Sequence, residues 1–426
     1  MRIYLFNAGW MLLEKILKLI LTFIFLGFIA KQLGTEYFGI YSLGISVVTL
    51  LWVISSLGLD SIILKEFSQE KYNEVELFST VFILRWFVCL GVVVVSTCFL
   101  FSPLFKFYSL SIKLTFLIFI FSVFFYNYTT YWSYYQAKSK AKVLTKISII
   151  GLILSSLFKV YIIYADFGLI PFAISASFDV AINLIIIYFF NRDIKVSIRK
   201  FSKDIARKIM KPAYPMLISS VIIILYTRID QMMIAYYLGA SETGIYSVAM
   251  RISEAYVFLP ALIATSFYPM IAKDTSEENV RIYFDIVFFF AFISGLAVIV
   301  VSPFVIPLLF GPDYVNSLAV LNITVFATMF SVLGTACTNF MILRNLGYYR
   351  LIRIILGLII NVVLNTILIP KYGIIGAAWA TLISQLFASW LGNAFNQRTK
   401  ECLKIQTRSV FTLGIVGAYK ILRKKE

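Results

Sequence analysis

The chain has 426 residues, 61% of them hydrophobic and only 14% charged, and its mean hydropathy is +0.90. A soluble domain is about a quarter charged, so a water-soluble globular protein is excluded. The chain has no histidine, which removes imidazole ligands, Ser-His dyads and histidine proton relays.

The four cysteines, Cys89, Cys98, Cys337 and Cys402, show no CxxC spacing and read as packing residues, not as a disulfide framework or a zinc site. No GxxxxGK[ST] motif supports ATP hydrolysis within the chain. Apolar stretches of about 20 residues, the length that crosses a bilayer core, recur throughout. The first is long, with no small-residue cleavage site after it, and reads as a spanning helix, not a signal peptide.

Twelve spans are predicted, at roughly 10–30, 40–59, 77–101, 112–136, 146–165, 169–190, 213–238, 246–270, 283–309, 317–342, 351–369 and 373–395. The expected fold class is an all-α polytopic membrane protein. Pro303 and Pro307 should kink or interrupt the ninth span near the membrane surface. The aromatic run "YNYTTYWSYYQ" (Tyr126 to Gln136) closes the fourth, and an anchoring belt at the interface or a stacking surface for sugars would explain it. After Phe395 the chain is polar and basic, and its apolar run from Ser409 to Leu422 is too short to cross, so an interfacial helix is expected there.

With the N-terminus inside, 28 Lys and Arg residues fall on the cytoplasmic side. They include Arg2, eight residues between Arg192 and Lys211, Arg344, Arg350, Arg353, and eight in the tail, among them Arg423, Lys424 and Lys425. Only Lys31, Lys106, Lys113 and Lys371 fall outside. This bias places both termini in the cytoplasm. It also accounts for the net charge of +17 as basic loops facing anionic lipid, with no nucleic-acid partner needed.

"LGTEYFGIYS" (Leu33 to Ser42) and "LGASETGIYS" (Leu238 to Ser247) carry the same pattern 205 positions apart, and both fall on the outer side. The same offset brings "DFG" (Asp166 to Gly168) onto "KYG" (Lys371 to Gly373). Two parallel six-helix repeats are therefore expected: an N-terminal lobe over 1–190, a basic linker over 191–211, a C-terminal lobe over 212–395 and a tail over 396–426. Such repeats are a transporter design in which the halves rock around a site. Locally, the Leu-Gly step ends a helix with glycine in the left-handed cap, and the tyrosine of Gly-Ile-Tyr-Ser should lie at the interface.

Two segments carry a family resemblance. "AKQLGTEYFGIYSLGISVVTLLWVISSLGLDSIILKE" and "YTRIDQMMIAYYLGASETGIYSVAMRISEAYVFLPALIATSFYPMIAK" are similar to the polysaccharide-exporter branch of the multidrug/oligosaccharidyl-lipid/polysaccharide (MOP) flippase superfamily, and to its Wzx-type O-antigen flippases. The most specific pieces are Ile229-Asp230-Gln231, the Leu-Gly and Gly-Ile-Tyr-Ser turn, Pro260 and Pro269. The resemblance implies a flippase that moves an undecaprenyl-diphosphate-linked oligosaccharide from the cytoplasmic to the outer leaflet of a bacterial plasma membrane. Its implied partners are that glycolipid, membrane lipids and the polysaccharide polymerase and chain-length machinery. The chain departs from the similar lipid II flippases, which usually carry two further C-terminal spans.

Ten ionisable residues lie at least four positions inside the predicted spans: Glu14, Lys15, Lys18, Arg85, Lys159, Asp179, Arg228, Asp230, Arg251 and Glu254. A central charge costs roughly 2.5–3.5 kcal/mol on the lenient insertion scale, so these should face protein or water. The basic excess suits a diphosphate, which makes Arg228, Arg85, Arg251, Lys18, Lys15 and Lys159 substrate-binding candidates. Purely structural readings compete: Glu14–Lys18 and Arg251–Glu254 can pair along their own helices, and Lys15 and Lys18 can snorkel. Asp230 sits two residues from Arg228, on a different helix face; it and Asp179 suit either a lock between the lobes or an H+ or Na+ coupling site. Glu14 and Glu254 join them as coupling or gating candidates. No cofactor is expected. A drug or organic-cation antiporter of the same superfamily should prefer an acidic cavity, and a membrane-bound glycan polymerase or glycosyltransferase should show clustered carboxylates and a large outer loop.

Overall fold

In the computed structural model the backbone of residues 2–103, 106, 108–191 and 193–423 is described, and side chains are described within these except at 2–13, 141 and 421–423. Arg192, Lys424 and Lys425 thus lie outside the described residues, as do the side chains of Arg2 and Arg423. Among the described residues all regular structure is helical. In chain order the helices are α1 (Arg2–Ser56), α2 (Asp60–Gln69), α3 (Glu74–Leu100), α4 (Leu110–Phe121), α5 (Tyr128–Ala137), α6 (Ala141–Tyr164), α7 (Leu169–Phe190), α8 (Lys203–Leu238), α9 (Ala240–Tyr256), α10 (Phe258–Lys273), α11 (Glu277–Leu309), α12 (Ser317–Leu343), α13 (Gly347–Ser389), α14 (Lys400–Phe411) and α15 (Ile415–Arg423).

Ten stretches among the described residues are long and apolar enough to cross a membrane, as expected for a multi-pass membrane protein. The ten differ from the predicted twelve at two places only. α1 and α13 each contain one non-helical residue, Gly34 and Gly373, where turns between spans were expected. A straight helix as long as α1 would measure roughly 80 Å, more than twice a bilayer core.

The repeated motif shows what its glycine does. Gly34 (φ 69°, ψ 176°) and Gly239 (φ 90°, ψ −174°) share a region that only glycine occupies readily. Both φ values are positive as expected, but ψ is extended and does not match a left-handed cap. The motif's tyrosines, expected at the interface, turn into the protein instead. Tyr41 and Tyr246 are both buried, because each lies two turns into the return helix, roughly 10 Å past its glycine.

Prolines act unevenly. Pro303 and Pro307 do not interrupt α11, which runs on to Leu309; both stand in its last two turns. Pro260 lacks the N–H that would pair with the Tyr256 carbonyl, and there the predicted eighth span divides into α9 and α10.

The chain forms two units, Met1–Ile224 and Leu225–Glu426, and the division falls inside α8 instead of at residue 211. The basic linker belongs to the first unit because its apolar residues pack there. Ile194, Ile205, Ile209 and Ala213 join Ile63, Phe78 and Tyr131 in one buried cluster. The Ser197 and Ser202 amides donate to the Ser79 and Thr80 hydroxyls, both at 3.0 Å.

In the second unit the tail is docked through a buried polar network. Arg353, expected in a cytoplasmic loop, is instead buried at 5% exposure and donates to Asn393 Oδ1 at 2.8 Å. Asn393 Nδ2 donates to Gln406 Oε1 at 2.6 Å, and Ser409 in α14 donates to the buried Asp285 of α11 at 2.6 Å. α15 lies close against α11, with Lys420 paired to Glu278 at 2.8 Å.

Candidate functional site

Apart from Arg85, the charged residues of the spans fall into two groups, one in each unit. In the second unit, α8 supplies Arg228 and Asp230, and α9 supplies Arg251 and Glu254. Two residues apart on a helix, Arg228 and Asp230 point about 200° apart, and they find different partners. Arg228 Nη1 donates to Glu254 Oε1 at 2.7 Å, and Arg251 Nη1 reaches Glu254 Oε2 at 3.4 Å. Two guanidinium groups thus share one carboxylate. These side chains are only partly buried: Glu254 is 37% exposed.

Asp230 is buried among uncharged donors. Tyr246 Oη donates to its carboxylate at 3.0 Å, Thr381 Oγ1 at 2.6 Å and Asn365 Nδ2 at 2.8 Å. Asn365 Nδ2 also donates to Asn361 Oδ1 at 3.0 Å, and Tyr226 reaches Ser384 at 3.3 Å. The Asn365 amide oxygen is buried without a donor. Asp230 and Glu254 both line one cavity of about 200 Å³, together with Tyr226, Ser253, Thr328 and Gln385. The cavity is thus bordered by Glu254, the carboxylate that the two arginines share, and by Asp230, the carboxylate held by neutral donors.

The first unit holds the other group, around a smaller cavity of about 60 Å³. Lys159 of α6 bridges both oxygens of Asp179 of α7 at 2.6 Å, with its ammonium 5.8 Å from the Phe25 ring centroid. Glu14 is buried and accepts a short hydrogen bond from Ser148 Oγ. Lys18 lines the same cavity and is exposed, and no ion pair joins it to Glu14. Lys15 is exposed on α1.

Arg85 stands apart. Only 1% exposed, it donates to Thr129 Oγ1 at 2.9 Å, Thr130 Oγ1 at 3.0 Å, the Ser56 carbonyl at 3.0 Å and Asp60 Oδ1 at 2.7 Å. Its guanidinium is consumed by protein and ties the end of α1 and the start of α2 to α5.

Several members of these networks do not stand out from charge alone. Asn361 and Asn365 are neutral, yet two amides one helical turn apart in the apolar run "IINVVLNTIL" were a usable signal. Thr381 and Tyr246 carry no such mark. Among the described residues no group of three or more Asp, Glu, His or Cys could hold a metal ion.

Comparison with known proteins agrees with this architecture. The chain is 33% identical over 177 residues to the "Probable flippase AglR" of Haloferax volcanii, a match spanning 39% of this chain and only 37% of that protein's length. It is 22% identical over 411 residues, 90% of this chain and 96% of the other, to a "Putative O-antigen transporter" of Shigella flexneri. Its fold is similar to that of the lipid II flippase MurJ in an inward closed conformation, with TM-score 0.75 at 18% identity over 95% of this chain and 91% of that one. Residues 5–275, well over half the chain, match the "Polysaccharide biosynthesis protein" family. The chain belongs to that family, and the Wzx-type, MOP-superfamily resemblance read from its sequence holds.

Proposed function

We propose that the protein is a flippase for a polyprenyl-diphosphate-linked oligosaccharide, undecaprenyl in a bacterial host, carrying it from the cytoplasmic to the outer leaflet of the plasma membrane with both termini in the cytoplasm. The observation that carries this reading is the Arg228–Glu254–Arg251 cluster within the predicted spans, its carboxylate lining a cavity of about 200 Å³, in a member of the polysaccharide biosynthesis family. A guanidinium pair matches the fork geometry of phosphate oxygens. Because Glu254 already neutralises one of the two arginines, an arriving diphosphate competes with a carboxylate for the pair. Binding is then reversible, which a carrier needs. Lys18, the exposed cation of the first unit's cavity, is a separate phosphate-binding candidate within that unit. Arg85 is assigned to structure.

Transport by alternating access involves no covalent step. It needs only a difference in affinity for substrate or coupling ion between the inward- and outward-open states. We assign the coupling ion to Asp230. One carboxylate with an undonated amide oxygen beside it is an all-oxygen set of low charge, suited to H+ or Na+ more than to a divalent ion. In the cell, the polysaccharide polymerase and chain-length machinery would consume the product.

Reconstitution tests the reading. Lipid-linked oligosaccharide from the host is incorporated into liposomes with or without the protein, and a glycan-cleaving enzyme is added outside. The reachable pool should grow from the outer-leaflet share to nearly the whole, and Arg228→Met should abolish the gain. A pool unchanged by wild-type protein overturns the proposal.

A further inference from the structure

The aromatic run that closes the predicted fourth span divides in the folded chain. Tyr131, Tyr134 and Tyr135 are buried in the first unit's core, where Tyr131 and Tyr134 stand edge-on to Phe78. Tyr126, Tyr128 and Trp132 turn elsewhere and are half-buried, as is Trp52 of α1. A belt facing lipid headgroups would expose its rings, and none of these is exposed.

The half-buried rings form a connected set. Trp52 and Tyr126 stack at 5.2 Å between centroids, only 6° from parallel. Tyr126 and Tyr128 meet at 6.0 Å and 80°, and Tyr128 and Trp132 at 6.4 Å and 89°. The stacked pair leaves each ring its outer face, and Tyr128 stands perpendicular to Tyr126 beside it.

Arg85 fixes polar groups close to these rings in the chain, Thr129 in α5 and Asp60 at the start of α2. Thr129, the neighbour of Tyr128, accepts from Arg85 and keeps its own O–H to donate. Asp60 gives one carboxylate oxygen to Arg85 and is 47% exposed, so the other can accept. The Trp52 indole N–H is buried without an acceptor. Because Arg85 neutralises Asp60, the corner has aromatic faces with hydroxyl partners and no net charge.

That combination fits a pyranose ring, whose C–H face is apolar and faintly positive while its edge carries hydroxyls that both donate and accept. A polyprenyl tail offers these hydroxyl and carboxylate groups no partner, and an organic cation would meet a carboxylate already neutralised. We propose that Trp52, Tyr126 and Tyr128 form a carbohydrate platform that stacks against a sugar ring of the transported glycan. The proposal rests on the flippase reading but concerns a different unit and a different chemistry from the arginine cluster.

The test uses full-length protein in nanodiscs and two probes: oligosaccharide released by mild acid from the host's lipid-linked pool, and inorganic pyrophosphate. Binding is measured by calorimetry on wild type, Trp52→Leu, Tyr126→Leu, Tyr128→Leu and the ring-preserving Tyr126→Phe and Tyr128→Phe, each checked for a wild-type elution profile. Each leucine variant that passes should weaken oligosaccharide binding roughly tenfold and leave pyrophosphate binding unchanged, while the phenylalanine variants stay near wild type. Leucine variants that bind oligosaccharide like wild type overturn the platform. So does a wild type that binds pyrophosphate and not oligosaccharide, although the flippase reading survives that result. A wild type that binds neither probe but takes up tetraphenylphosphonium sinks both.

Discussion

Arg85→Met separates a structural cation from a transport cation. The substitution keeps an apolar stem and removes the guanidinium, which is 1% exposed and makes four hydrogen bonds. Breaking a fully buried ion pair costs about 3–5 kcal/mol. Here Asp60 is 47% exposed and regains water, so its share is small. The Thr129 and Thr130 hydroxyls and the Ser56 carbonyl each lose a donor, at about 1 kcal/mol apiece. The sum is about 3–4 kcal/mol, which in a unit of 224 residues lowers the melting temperature by roughly 10 °C. Arg228→Met breaks a pair whose carboxylate is 37% exposed, and should cost less than about 1 kcal/mol. Thermal unfolding of both purified variants provides the comparison. Arg85→Met melting within about 2 °C of wild type, or Arg228→Met melting as low as Arg85→Met, would refute the division of roles.

Further outcomes follow from the same geometry. Gly34→Ala and Gly239→Ala each force a side chain into a positive-φ, extended-ψ conformation and should each destabilise the protein by about 1–3 kcal/mol in thermal unfolding; a neutral result at either would break the equivalence of the two turns. Tyr246→Phe removes one of three donors to Asp230 and should cost about 1–2 kcal/mol, with Thr381→Val behaving alike. Asp230→Asn should leave glycan binding in place while abolishing the dependence of transport on an ion gradient, measured by imposing H+ or Na+ gradients on liposomes. Just past α5, hydrogen bonds from Lys138 to Glu74 and then Glu70 raise the Lys138 pKa above 10.5. A raised folded-state pKa contributes stability below the unfolded value and loses it as pH climbs through the folded one. The stability gap between wild type and Lys138→Met should therefore be flat from about pH 6 to 9 and narrow only above about 10.5; a gap that closes near neutrality would contradict it.

Much of the fold could be read from the chain because its signals are local. Apolar runs, basic loops and the doubled Leu-Gly…Gly-Ile-Tyr-Ser turn each report on a few consecutive residues. Depth and neighbours were harder. Tyr246 looked like an interfacial anchor because tyrosine favours that level, but its hydroxyl serves a carboxylate sixteen residues back. Arg353 looked like a loop cation because Arg344 and Arg350 precede it closely, but Asn393 and Cys337 supply its partners from distant parts of the chain. In the candidate site, Glu254 was readable as the partner of Arg251 from helical spacing alone. Its stronger contact with Arg228 depends on how α8 meets α9, which no spacing encodes. Asp60, one residue past the second predicted span, carries no mark in the sequence, and only the bond from Arg85 shows its use.

The most direct measurement is made in the native host with this gene removed, quantifying diphosphate-linked oligosaccharide in total lipid alongside surface polysaccharide. The flippase account predicts that lipid-linked units accumulate while surface polymer is lost, with wild type restoring both and Arg228→Met restoring neither. Normal lipid-linked pools together with new sensitivity to cationic drugs would contradict it, and would point to an organic-cation antiporter on the same fold.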